Sequence, residues 1–101
     1  METYNKLVRD KIPEILDKKG VSYIKRIASP LEYKAELIKK LIEETQEFSE
    51  AGDIEELADI LEVIGALKQL PEYSEVETIR QKKRDERGGF DEKIILKGQK
   101  D

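Results

Sequence analysis

The chain has no cysteine, no histidine, no tryptophan and a single methionine. Without cysteine there is no disulfide and no thiol chemistry. Without histidine, the Ser-His and Cys-His pairs of nucleophilic catalysis and the usual zinc sites are excluded. Any metal must then be a hard cation held by oxygen. Aromatic residues make up 6% of the chain and hydrophobic residues 38%. No apolar run approaches the roughly 20 residues of a membrane span. No signal-peptide pattern opens the chain, so no membrane partner is expected and the expected location is cytoplasmic. The net charge of −4 argues against nucleic acid as a partner.

What the chain has in excess is charge, at 42% of residues against roughly 25% in an average protein. Such a composition can leave a chain disordered. Here, however, the apolar residues recur with a helical period, which predicts a folded all-α protein. A length of 101 residues predicts one domain, 1–101. Many Lys and Glu with no Cys and one Met fit a heat-adapted protein.

Local signals place the helices. Asp10 is the expected cap of a short helix running to Gly20, with Pro13 in its first turn. Residues 21–27, "VSYIKRI", read as a short strand or an extended arm. "SPLE" (29–32) is a helix start: Ser29 caps, Pro30 is the first helical residue and Glu32 completes a capping box. That helix is expected to reach Ala51. Gly52 stops it and Asp53 caps the next, with Glu56 placed for a second box. The second long helix is expected to end near Leu70, before Pro71. Residues 71–90 read as a third long helix, with Ser74 as cap and Gly88 as stop. "KIILK" (93–97) reads as a short strand pairing with 21–27.

The two central helices contain an unusual feature. Residues 41–64 hold nine acidic side chains, and most project onto the wet face of an amphipathic hairpin. Glu44 instead falls inside the apolar arc of the first helix, beside Leu37 and Phe48. Glu56 falls inside that of the second, between Val63 and Leu67. Each has a second acid three residues later at the edge of the arc, Glu47 and Asp59. A short turn makes the helices antiparallel neighbours, so the four acids can converge on one side. An unpaired carboxylate in a low-dielectric seam is costly, and four together repel. Basic side chains could neutralise them, they could be exposed after all, or a divalent cation could sit among them.

The run from Glu43 to Asp59, "EETQE…ELAD", resembles the metal-binding signature of the MazG-like all-α nucleoside triphosphate pyrophosphohydrolases. The opening "YNKLVRDKIPEIL" and closing "RGGFDEKIIL" resemble the ends of a small phosphoribosyl-ATP pyrophosphatase-like branch. The resemblance implies a helical bundle completed as a homodimer or homotetramer. It places the ligands of Mg²⁺ or Mn²⁺, and so the catalytic acids, on Glu44, Glu47, Glu56 and Asp59. It implies hydrolysis of a nucleoside triphosphate to a monophosphate and pyrophosphate, as in cleaning of a nucleotide pool. Eight residues separate Glu47 from Glu56, fewer than in many members, where a longer inter-helix loop helps to select the base. With no histidine after the second acid pair, a role in histidine biosynthesis is not expected.

A triphosphate also needs cations. Lys6, Arg9 and Lys11 precede the bundle, and Arg9 stands in the matching "LVRD". Lys82, Lys83, Arg84 and Arg87 crowd the end of the last helix. Arg9, Lys11, Lys82, Arg84 and Arg87 are the candidate substrate contacts, although each could equally be a solvated charge. Gly88 and Gly89 could cap a helix or let backbone approach a ligand. Two other functions fit the same residues: a helical interaction module whose acids are only a wet face, and a family member that binds nucleotide or metal without turnover.

Overall fold

The computed structural model describes residues 5–99, so Tyr4 of the opening motif lies outside the described residues. The described chain is helical: α1 (Ile12–Lys18), α2 (Pro30–Ala51), α3 (Ile54–Lys68), a 3₁₀ turn (Pro71–Tyr73) and α4 (Val76–Arg87). No helix among these residues is long and apolar enough to cross a membrane.

The hairpin of α2 and α3 follows from its end signals. Ser29 is extended, and its Oγ accepts the Glu32 N–H at 3.2 Å. Both carboxylate oxygens of Glu32 accept from the Arg26 guanidinium at 2.6 Å. The Arg26 bonds hold that carboxyl below the usual glutamate range. At the other end Gly52 takes φ +66°, a left-handed conformation open to glycine, and its N–H closes on the Phe48 carbonyl at 2.7 Å. Asp53 returns to an extended conformation, and its Oδ1 accepts the Glu56 N–H at 3.4 Å. Two residues thus reverse the chain and lay α3 antiparallel on α2.

The seam between these helices is the core. Leu37 and Val63 are its buried apolar residues, with Leu41, Phe48, Ile60 and Leu67 half-buried around them. The 3₁₀ turn is tied to α2 through Lys34, whose Nζ lies 3.4 Å from a Glu72 oxygen and 5.0 Å from the centre of the Tyr73 ring. Lys68 at the end of α3 pairs with Glu77 on α4 at 2.9 Å.

The chain is extended, 56 × 32 × 25 Å, with a radius of gyration of 18.2 Å. A compact domain of this length would have about 13 Å. Much of its apolar surface is uncovered: Ile38, Ile42, Leu57, Leu61 and Ile64 on the hairpin, and Phe90 and Ile94–Leu96 beyond α4, are all exposed.

Three expectations are corrected. Residues 21–27 and 93–97 form no strand; both are irregular chain. Tyr23 instead donates its hydroxyl to Asp17 at 2.7 Å, which holds the first of these segments back along α1. Asp10 does not cap α1. Lys11 takes that position in a helical conformation, with no side-chain cap bond, because a turn closed by Ile12 N–H on the Arg9 carbonyl leads straight into the helix. The third helix is broken: Pro71–Tyr73 is 3₁₀, and Ser74 is already helical in φ and ψ. A capping hydroxyl needs an extended residue, so α4 starts later, after Glu75 and without a side-chain cap.

Candidate acidic site on the helical hairpin

Glu44 lies in the middle of α2, on the stripe that faces α3, because it is seven residues, two helical turns, from Leu37. It is buried, at 8% exposure. Its Oε1 has Lys40 Nζ one turn away at 3.8 Å, and its Oε2 is buried with no hydrogen-bond partner. Loss of water raises the Glu44 pKa above the ordinary glutamate value, and the negative charges of Glu47 and Asp59 raise it further; Lys40 opposes them. Glu44, Glu47 and Asp59 therefore share one electrostatic neighbourhood.

The remaining acids are less enclosed. Glu47 is exposed, while Glu56 and Asp59 are half-buried. Glu56, one turn before Asp59 on α3 and nearer the hairpin tip, is at the rim of the seam rather than inside it. Among the described residues no three acids stand close enough together to hold a metal ion in this arrangement. Their chemistry suits a hard, oxygen-liganded cation, and the unpartnered Glu44 Oε2 is a donor atom such an ion would satisfy.

Cations of the N-terminal segment lie on this face. Arg9 Nη2 donates to Asp59 Oδ1 at 2.7 Å. Lys6 Nζ lies 3.7 Å from Glu43 Oε1, so Glu43 is turned towards that segment. Lys11 is exposed at the start of α1. Arg84 pairs with Asp91 at 3.7 Å, and its guanidinium lies against Gly89, where a Cβ would meet Nη1 at 2.7 Å. Lys82 lines a shallow trough along α4 with Glu77, Thr78, Gln81 and Asp85. Arg87 is in the last turn of α4 and exposed. Among the described residues none of Lys82, Arg84 and Arg87 pairs with an acid of the hairpin.

Three contacts of this site were not anticipated: Lys40 with Glu44, Lys6 with Glu43 and Arg9 with Asp59. The Lys40–Glu44 pair was visible as an i, i+4 spacing. Lys6 on Glu43 had no local signal, since it depends on where the N-terminal segment is laid.

No protein-family model matches this chain, and no curated protein or solved structure does.

Proposed function

We propose that the chain is a metal-dependent nucleotide pyrophosphohydrolase of MazG-like type, which cleaves a nucleoside triphosphate or related nucleotide to a monophosphate and pyrophosphate. The observation that carries this reading is Glu44: a buried carboxylate with an unpartnered oxygen, beside Glu47 and Asp59. A core position occupied by an acid destabilises the bare fold, which makes sense where the acid has work to do.

In this reading Glu44, Glu47, Glu56 and Asp59 hold Mg²⁺ or Mn²⁺. When bound, the ion neutralises triphosphate charge and makes water more acidic. One of these carboxylates, not fully engaged by the ion, would take the proton of an attacking water; Glu47, exposed and among the described residues in no ion pair, is our choice. Arg9 and Lys11 supply charge to the phosphates from the N-terminal side. Lys82, Arg84 and Arg87 would reach the same phosphates only through assembly or movement of α4. A homodimer or homotetramer would cover the apolar face of the hairpin.

A second reading is a helical interaction module. The ion pairs Arg9–Asp59 and Lys6–Glu43 favour it, since neutralised acids need no metal. A third is a member that binds nucleotide or metal without turnover. The test is a panel of canonical and damaged nucleoside triphosphates, with and without Mg²⁺, assayed for pyrophosphate. Mg²⁺-dependent release supports the enzyme. Nucleotide binding without release supports the third reading, and neither supports the interaction module.

A further inference from the structure

The four residues from Lys6 to Arg9 place two cations on the acidic face. Arg9 reaches Asp59 at 2.7 Å and Lys6 reaches Glu43 at 3.7 Å. One acid so held, Asp59, shares its surroundings with Glu44, whose buried Oε2 has no partner. The guanidinium thus supplies, from outside, part of the positive charge this cluster lacks, and it does so from one side only. Arg9 and Asp59 are also substantially solvated, 57% and 43% exposed in their side chains. An exposed pair of this kind is weak and readily exchanged.

We propose that Arg9 is a displaceable latch: it holds Asp59 while the acidic cluster carries no cation, and a divalent cation that takes Asp59 releases Arg9 and loosens the segment around it. This inference rests on the proposed metal-dependent function and adds a conformational consequence to it. Arg9 and the cation compete for one carboxylate oxygen, so each weakens the other's hold by the same factor. Once free, the guanidinium can turn to an anionic ligand. A cation then prepares the phosphate site as well as neutralising charge, and Arg9 acts as a positioning residue in this exchange. Lys6 has a lesser part, because Glu43 is not one of the four proposed ligands and its contact is longer.

The experiment uses the full chain and Mn²⁺ or Mg²⁺ alone, without nucleotide. Isothermal titration measures cation affinity for the parent, Arg9→Gln, Lys6→Gln and a control, Lys68→Ala, whose lysine pairs with Glu77 on α4 and with none of the four proposed ligands. Arg9→Gln is expected to bind the cation about two- to five-fold more tightly, the equivalent of losing one exposed ion pair. Lys6→Gln should show a smaller gain and Lys68→Ala none. In parallel, trypsin cleavage after Lys6 and Arg9 of the parent is followed by mass spectrometry. It should accelerate on adding the cation while cleavage within α2 and α3 slows. Unchanged or weaker affinity in Arg9→Gln, or no acceleration at these two bonds, overturns the latch. Mg²⁺-dependent pyrophosphate release alongside either result leaves the enzymatic reading standing. If neither parent nor variant binds a cation, both fall together.

Discussion

Lys40 and Glu44 lie one turn apart on α2, with Nζ 3.8 Å from Oε1, and this long contact is the only charge partner Glu44 has among the described residues. At that separation the lysine offsets part of the buried charge but makes no strong hydrogen bond. The carboxylate is therefore a destabilising element of the bare fold.

Glu44→Gln keeps the side-chain shape and removes the charge. The variant should melt at the same temperature as the parent or higher in chelator. It should lose pyrophosphate release and most of the Mg²⁺-induced rise in Tm. That rise corresponds to about 2.7 kcal/mol at a hundredfold excess over Kd. Glu55→Gln and Glu62→Gln, both exposed, serve as controls and should behave as the parent. Thermal melts with Mg²⁺ and with chelator decide it: parent-like Mg²⁺ stabilisation in Glu44→Gln removes the metal role of this acid.

The same group sets a pH dependence. The folded Glu44 pKa is raised above its ordinary value of 4.5, first by burial and then by Glu47 and Asp59. Between 4.5 and the raised value the folded state binds more protons than the unfolded one. Stability from this group therefore falls as pH rises through that window and is level above it. The stability difference, Glu44→Gln minus parent, should grow with pH from about 4.5 upwards and then flatten. Urea titrations at a series of pH values in chelator measure it, and a difference independent of pH contradicts it.

At the hairpin tip, Gly52→Ala tests conformation alone. The added Cβ meets only the Phe48 carbonyl oxygen, at 4.0 Å, so there is room for it. The left-handed φ of +66° should nonetheless make the variant less stable by about 1 kcal/mol, with Gly52→Asn closer to the parent. Denaturant midpoints of the two variants give the comparison.

Assembly is tested through the uncovered face. Ile42 and Leu61 are 66% and 61% exposed on the two helices of the hairpin. The parent should exceed monomer mass by light scattering at micromolar concentration. Leu61→Asp should reduce that mass while leaving the helical circular dichroism of any folded monomer intact. A monomeric parent would refute the oligomer.

Much of the hairpin was legible because its determinants are local. Ser29, Pro30, Gly52 and Asp53 act within one turn of where they stand, so the bounds Pro30–Ala51 and the start at Ile54 follow from short-range rules. The placement of Glu44 followed from helical period alone. The same rules failed at Ser74, where Pro71 starts a 3₁₀ turn and carries the serine into helical φ and ψ before it can cap. The strand reading failed also at 21–27, where apolar and polar residues alternate, and at 93–97, a short apolar run, because among the described residues nothing brings a partner alongside either.

By itself, then, the sequence determined the two long helices, their tight reversal and the presence of an acid in the seam, because backbone hydrogen bonding and side-chain period operate over a few residues. Only the tertiary structure decided which charges meet. Arg9 and Asp59 are fifty residues apart, and their contact depends on how the N-terminal segment is laid across α3. The half-burial of Glu56 was decided in the same way, since exposure at the rim of a seam depends on how closely two helices approach, and helical period does not encode that distance.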